Sequence, residues 1–516
     1  MNTNLSDITE RGPIVAIMGH IDHGKSTLLH YIRNQKDKTS LSYSQDRALP
    51  ALEEAGGITQ HISAYEVLHQ SKEGKKRTIT FIDTPGHEAF GGIRRRGAHV
   101  ADIAVLVVSA EDGVKPQTLE ALTSILESKT PFIVAINKID KLEANIERTK
   151  QSLAENEIYI EGYGGDIPAV PISAKTGEGV SELLDMIILV SELENLTGDR
   201  IALGEGIVIE SNMDIKKGIS ATCIIQNGTI EKGYYIVSGK AVAPVRIMEN
   251  YLGQGLDKAS FSSPVKIIGW DELPEVGNIF KTFKTRENAR EEIEKNLLTL
   301  GVSKNTKKTD ENVNGSVFNI LVVVKADTGS SLEAVLSEIE KLKTERINAQ
   351  VISSGIGTIS ENDVRIADGS KKAIIIGFHT KIDSPAKNLA ERSGIEIKIF
   401  DIIYKMSEWL KETMTEKTPK VQEKEITGLA KIIKIFSKVK DKQIIGARVE
   451  SGSIILGAQV KIIRRDVEIG QGRVKELQQQ KTKTGEVSTG EFGVLIEAKV
   501  EIALGDHIES FIIVEK

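Results

Sequence analysis

Between Arg11 and Thr197, apolar runs the length of a strand alternate with stretches of helical period. PIVAIMG, TITFIDT, IAVLVVSA and PFIVAINK are apolar at nearly every position, as in strands buried on both faces, and PQTLEALTSILESK reads as a helix opened by Pro116. That alternation predicts an α/β sheet with helical crossovers over residues 1–198. From about Gly204 to Lys281 the pattern shortens to alternating strands separated by turn pairs such as Asn227-Gly228, which predicts a β-barrel over 199–284.

RENAREEIEKNLLTL then begins as an amphipathic helix and SKNTKKTDENVNG follows, too polar to form a core, so 285–315 read as a helical, charged linker. FNILVVVKAD, SLEAVLSEIEKLK, AQVISSGIG and AIIIGFHT predict a compact α/β sandwich over 316–400. DIIYKMSEWLKETMTEK predicts a long helix whose Ile403, Met406, Trp409 and Leu410 share one face. It would link this unit, across 401–422, to a last region of short strands at 423–516. That region repeats the first barrel in kind: Gly206 to Gly228 spans 22 positions and Gly428 to Gly452 spans 24, and the following NGTIEKG and SGSIILG both place a glycine 5 positions later.

Composition narrows the classes. The 516 residues are 40% hydrophobic, enough for several cores, and the longest apolar runs are strand-sized, far short of the ~20 residues a membrane helix needs. The polar start MNTNLSDITERG carries no secretory or transit pattern, and the single Cys223 forbids an internal disulfide, which together point to the cytoplasm and away from membranes. Lys plus Arg number 67 against 73 acidic residues, a formal charge of -6, so any RNA contact must come from local patches. Aromatics at 4% argue against stacking platforms for single strands.

The chemistry lies in four motifs. GHIDHGKS, Gly19 to Ser26, follows the strand PIVAIM and precedes the helical TLLHYIRNQ, the setting of a phosphate-cradling loop. Backbone N–H groups over Gly19, His20, Asp22, His23 and Gly24, with Lys25 and Thr27, would hold the phosphates, and Ser26 would ligate Mg²⁺. DTPGH closes the next buried strand, so Asp83 can hold a Mg²⁺-bound water and the Gly86 N–H can meet a γ-phosphate. NKID, with Asn137, Lys138 and Asp140, follows PFIVAI. Its Asp140 carboxylate can accept from guanine N1–H and the exocyclic amine, which selects GTP over ATP. SAKTG adds Ser173, Ala174 and Lys175 to the same base. GGITQHI lies between the phosphate loop and DTPGH, and its Thr59 is the candidate second protein ligand for Mg²⁺.

These motifs resemble those of the translational GTPases, and RGPIVAIMGHIDHGKSTLLHYIR, EEAGGITQHISAY and DTPGHEAFGGIRRRGAHVADIAVLVVSAEDGVKPQTLEAL are similar to the bacterial translation initiation factor 2 family. ATCIIQNGTIEKG, VKADTGSSLEAV with SSGIGTISENDV, and EITGLAKIIKIF with GEFGVLIEA extend the resemblance through the later domains, in a minimal form without the family's amino-terminal extension. The resemblance implies a P-loop GTPase with GTP/GDP and Mg²⁺ as cofactors. It would be a monomer in solution that brings initiator formylmethionyl-tRNA to the small ribosomal subunit and promotes joining of the large subunit. A histidine at His87 is characteristic of these factors, where it positions the hydrolytic water, and Ile21 and Ile58 would hold it away until a partner rearranges the site. The family's pocket for the tRNA end falls on Phe436, Ala447, Gln478, Gln479, Glu491, Phe492 and Gly493. Here Phe436, Glu491 and Gly493 match, Ala447 and Phe492 replace two cysteines, and the two glutamines replace a Lys-Arg pair. The expectation is weak selection for the formyl group, because neutral amides stand where cations would attract phosphate and Phe492 adds bulk. Two alternatives stay open: a ribosome-binding GTPase switch without aminoacyl-tRNA cargo, and an elongation-type carrier, against which the third unit and the long helix count.

Overall fold

The fold is described from a computed structural model that covers residues 8–34, 62–71, 74, 76–214, 217–303, 318–344, 347–370, 373–417, 422–480 and 482–515. The first part contains strands β1 (Ile8–Glu10), β2 (Ile14–Gly19), β3 (Ser63–Gln70), β4 (Lys76–Asp83), β5 (Ile103–Ser109), β6 (Phe132–Asn137), β7 (Ala169–Pro171) and β8 (Thr197–Asp199). Its helices are α1 (Lys25–Asn34), α2 (Gly91–Val100), α3 (Pro116–Ser128), α4 (Ile146–Glu155) and α5 (Val180–Leu193), with a 3-10 turn at Glu88–Phe90 before α2. Six strands form one sheet in the order β3-β4-β2-β5-β6-β7, parallel except for β3, while β1 pairs with β8. The continuous apolar runs are explained by burial on both faces. Val15 and Ile17 pack with Leu28 and Ile32 of α1 and Leu183 and Ile187 of α5, whereas Ala16 and Met18 pack with Ala121 and Ile125 of α3. Register sets Asp83 beside Ile17 and Asn137 beside Ser109, so the motif loops emerge together at the carboxyl ends of the strands.

The second part is antiparallel: β9 (Glu205–Asp214), β10 (Gly218–Asn227), β11 (Thr229–Glu231), β12 (Tyr235–Ser238), β13 (Ala241–Pro244), β14 (Ile247–Glu249), β15 (Lys258–Ser260), β16 (Pro264–Ile268) and β17 (Ile279–Phe283). Seven of these form a sheet in the order β13-β12-β17-β9-β10-β16-β14 around Cys223, Ile225, Trp270 and Phe280, and β11 pairs separately with β15. Helix α6 (Arg286–Ser303) follows. It is anchored to the strands by buried Ala289, by Lys281 to Glu292 at 3.1 Å and by Asn296 donating to the Gly239 carbonyl.

The third part is a parallel sheet of β18 (Phe318–Ala326), β19 (Ile347–Ile356), β20 (Ile374–Phe378) and β21 (Ile397–Phe400), ordered β19-β18-β20-β21. Helix α7 (Gly329–Lys341) covers one face, and α8 (Glu361–Gly369) and α9 (Ser384–Ser393) cover the other. Helix α10 (Ile403–Lys417) carries the apolar stripe read from the sequence. The stripe does not stand free as a connector: Ile403, Met406, Leu410 and Met414 are buried with Ala334, Val335 and Ile339 of α7. The same core continues to Ile207, Ile209 and Ile224 of the second part and to Ile14, Ile82, Phe90 and Ile93 of the first, all within the compact unit Met1–Glu416.

The other compact unit, Lys417–Lys516, has its own core. Its strands are β22 (Gln422–Val439), β23 (Lys442–Gly452), β24 (Ile454–Ile455), β25 (Gln459–Arg464), β26 (Val467–Gln479), β27 (Thr482–Lys483), β28 (Glu486–Val487), β29 (Glu491–Ala498) and β30 (His507–Glu515). Their sheet runs β25-β30-β22-β23-β29-β26-β27, and an additional β25–β26 pairing closes it into a barrel. Taken separately, this barrel and the antiparallel second part share a hydrogen-bonding scheme. Gly233 N–H donates to Val245 and the Val245 N–H returns to Tyr234; Gly457 N–H donates to Val474 and the Val474 N–H returns to Ala458. Gly228 and Gly452, at matching positions, both have φ near +70°, and an added Cβ would press into a backbone carbonyl, of Leu203 or of Thr427. The glycine spacing thus marks a true structural repeat.

Candidate functional site

The phosphate-loop motif forms the turn between β2 and α1. Lys25 is buried, and its ammonium donates to the carbonyls of Gly19 at 2.9 Å and His20 at 2.6 Å. Burial pushes its pKa down to about 8, while Asp83 opposes that shift. Gly86 lies against this ammonium: a Cβ there would meet Lys25 Nζ, so the DTPGH loop needs a glycine to approach the phosphate loop. Asp83 is buried, whereas Ser26 and Thr27 lie nearer solvent. Thr59 and Ile58 lie outside the described residues.

The histidines of the loop are held neutral. His23 is buried, its Nδ1 lies 3.3 Å from both the Val107 carbonyl and the Ser109 N–H, and burial drives its pKa down to about 3. His20 stands edge-on to it at 4.9 Å and is likewise lowered, first by burial and then by Lys25. Asp22 takes a left-handed backbone at φ 64°.

The base motif is tied to the phosphate loop through Asn137. Its Nδ2 donates to the His23 carbonyl at 2.7 Å and its Oδ1 accepts from the Ala174 N–H at 2.9 Å, so NKID, SAKTG and GHIDHGKS form one hydrogen-bonded assembly. Asp140 is exposed and accepts from the Ser173 hydroxyl at 2.6 Å, a bond that holds its carboxyl below the usual range. The result is an ionised, oriented acceptor. Lys138 is anchored 3.0 Å from Glu111, and Lys175 is exposed.

His87 is turned into a seam between elements. It is buried, and its Nδ1 accepts from the Ala89 N–H at 2.8 Å, capping the 3-10 turn. Its ring lies 3.8 Å from the ring of Tyr404 on α10 and edge-on to Phe90 at 6.0 Å. Burial lowers its pKa to about 4, so the ring is neutral at physiological pH. With Nδ1 accepting, the proton sits on Nε2, which has no hydrogen-bond partner among the described residues. Of the apolar walls expected at Ile21 and Ile58, Ile58 lies outside the described residues; the rings that flank His87 among the described residues are those of Tyr404 and Phe90.

Three supporting residues carry no recognisable sequence signal. Arg94, buried on α2, donates to the carbonyl of His87 and pairs with Glu120 at 2.6 Å, bracing the DTPGH loop. Nothing in the run RRRG separates it from Arg95 or Arg96. Gln117 of α3 accepts from the Ile21 N–H at 3.0 Å, fixing the phosphate loop from the side. Tyr404 follows β20 only by way of α9, β21 and a turn, and its aim at His87 is a product of the shared core.

In the closed barrel the candidate tRNA-end residues divide between two faces. Ala447 and Phe492 pair across β23 and β29 and are both buried in the barrel core, a small residue facing a large one. The expectation that Phe492 crowds a ligand pocket is therefore corrected: its bulk fills the interior. Phe436, 59% exposed, stands on the outer face over Gly446, which pairs with Gly493, which in turn pairs with Gln478. Lys434 Nζ lies 5.4 Å from the Phe436 ring centre. Glu491 is held by Arg448 at 2.5 Å, and Gln479 donates to the Thr489 carbonyl at 2.7 Å.

Comparison with known proteins places the chain among relatives of one kind. Residues 10–192 match the family model of the elongation factor Tu GTP binding domain, 204–283 that of elongation factor G domain 2, and 296–411 that of translation-initiation factor 2. The chain is 39% identical over 99% of its length to "Translation initiation factor IF-2" of Anoxybacillus flavithermus, covering 69% of that protein, and 39% identical to the protein of the same name from Nitratiruptor sp., of which it spans 59%. The crystal structure of GDP-bound aIF5B from Aeropyrum pernix is similar at 26% identity, over 97% of this chain and 92% of that one, with a TM-score of 0.48.

Proposed function

The chain belongs to the translation initiation factor IF-2 family, and from that premise we propose that it is a GTP-hydrolysing factor that delivers initiator tRNA to the ribosome and promotes subunit joining. The observation that carries the reading is the Asn137 side chain, which joins the guanine motif, the SAKTG loop and the phosphate loop through two hydrogen bonds. A structural turn would have no use for a base-reading carboxylate oriented by Ser173 and a buried cation beside it. Lys25 and the loop N–H groups neutralise the phosphates, and Asp140 reads guanine N1–H and the exocyclic amine. The Gly86 N–H faces the γ-phosphate, and His87 orients the attacking water once it leaves its seam.

The donor set suits Mg²⁺: Ser26 offers a hydroxyl as a direct ligand, the buried Asp83 carboxylate would hold a metal-bound water, and Thr59 is the proposed second protein ligand. When bound, the cation would supply positive charge to offset the charge that develops on the phosphates during hydrolysis.

The cargo reading draws on the outer face of the closed barrel. Phe436 is an exposed ring lying over Gly446, which pairs with Gly493, and an apolar group can stack on its open face. The test is threefold: fluorescent GTP binding, GTP hydrolysis with and without ribosomes, and filter binding of initiator tRNA to the full chain. His87→Ala should keep GTP affinity and lose at least a hundredfold of the ribosome-stimulated rate. Stimulated hydrolysis without any tRNA binding would replace the initiation role by a cargo-free switch.

A further inference from the structure

Helix α10 meets the DTPGH loop at one aromatic contact, and the surrounding polar groups show that the contact is built in. Tyr404, 50% exposed, lays its ring 3.8 Å from His87 while its neighbours Ile403 and Met406 are fully buried, so the helix cannot roll without moving the ring. One turn on, Ser407 donates to Glu338 of α7 at 3.2 Å. Glu338 also accepts from Lys341, which reaches Glu88 at 2.7 Å, directly after His87 in the chain. Elements α7, α10 and the 3-10 turn therefore close on the imidazole from three sides, and Arg94 of α2 holds its carbonyl from the fourth.

We propose that Tyr404 is a positioning residue for GTP hydrolysis: its ring parks the His87 imidazole in the seam, and the loop can present His87 to the γ-phosphate only when α10 gives way. The ring is held at two points, the stack on Tyr404 and the Nδ1 bond from the Ala89 N–H, and the edge that carries Nε2 is enclosed with them. Of the two, the backbone bond belongs to the loop itself and moves with it. The stack belongs to another part of the fold, so it is the one that a displacement of α10 can release. The groups that face the imidazole are Glu338 and Lys341 from α7, Arg94 from α2 and Glu88 from the turn; two acids balance two bases, which leaves burial by Tyr404 and its neighbours as the main reason the ring stays neutral. This inference rests on the reading of His87 as the water-orienting residue.

The experiment compares the full chain with Tyr404→Ala, Tyr404→Phe, His87→Ala and the Tyr404→Ala/His87→Ala pair. Tyr404→Ala should hydrolyse GTP without ribosomes about two- to tenfold faster, the factor commanded by one ring–ring contact. Tyr404→Phe keeps the ring and should match the parent, GTP affinity should stay within about twofold in both, and the gain should vanish in the double variant. The imidazole NMR signal of His87 should titrate nearer the ordinary histidine range in Tyr404→Ala. An unchanged or lower basal rate in a Tyr404→Ala chain that still binds GTP would overturn the proposal. Should that variant fail to bind GTP, Tyr404→Leu, which keeps apolar volume without a ring, takes its place with the same two outcomes. If His87→Ala keeps full ribosome-stimulated turnover, the catalytic reading of His87 fails, while the His87 titration in Tyr404→Ala still reports whether Tyr404 holds the ring.

Discussion

Asn137 Nδ2 lies 2.7 Å from the carbonyl oxygen of His23, so a residue of the base-reading motif is also a strut of the phosphate loop. The bond is buried, and its loss would leave the His23 carbonyl without this donor. Asn137→Ala should weaken binding of the phosphate chain as well as of the base, by about tenfold to a hundredfold for GTP, following ~1–3 kcal/mol for an unsatisfied buried group. Competition by GTP and by inorganic tripolyphosphate against a fluorescent nucleotide measures both. A loss confined to GTP would mean that the loop does not depend on the strut.

Asp140→Asn should shift preference towards xanthine nucleotides, because the amide offers a donor to the C2 oxygen of xanthine where guanine presents an amine. The Ser173 hydroxyl that now donates to Asp140 can donate equally to the new amide oxygen, so the loop should keep its shape. Competition between GTP and XTP reads the result, and undiminished preference for GTP would remove Asp140 from the base site.

Acid should destabilise the first unit through its neutral histidines. The folded chain holds His87 at about 4 and His23 at about 3, below the ordinary 6.5, so between those values the unfolded chain binds more protons. This stability is full above pH 6.5 and is lost as pH falls through the folded values. For His87 the loss by pH 5 is on the order of 2 kcal/mol. His87→Asn keeps a capping acceptor and removes the titrating group, and its thermal midpoint should therefore decline less between pH 7 and pH 5.

Selection for the formyl group should be weak. Gln478 and Gln479 supply neutral amides on a face where a cationic pair would attract the phosphate and ester of the tRNA end, and Gln479 is already committed to the Thr489 carbonyl. Free-solution affinity of the full chain for formylmethionyl-tRNA should exceed that for methionyl-tRNA by less than tenfold, about 1.4 kcal/mol or less. Strongly formyl-dependent binding would mean that the outer face around Phe436 rebuilds the selectivity by other contacts.

Much of this was legible along the chain. The strand runs, the order of the four motifs and the glycine spacing of the barrels are one-dimensional signals, set by burial on two faces, by turns at strand ends and by a carbonyl that leaves no room for a Cβ at Gly228 or Gly452. Arg94, Gln117 and Tyr404 were not legible, because each acts across a tertiary contact between elements far apart in sequence. Phe492 is a different case. The pleat of GEFGV puts it on the opposite face from Glu491 and Gly493, so strand alternation alone assigns it to the interior, and a pocket assembled from all three disregards that alternation.

The core that runs from Ile14 through Ile207 and Phe378 to Met414 has a calorimetric consequence. A cluster shared by three sheets cannot be dismantled sheet by sheet without exposing the apolar faces of the others. The first 416 residues should therefore absorb heat as a single cooperative block, and the closed barrel, with a separate core, as another. A scanning trace would then resolve into two transitions, fewer than the number of folds that the chain contains.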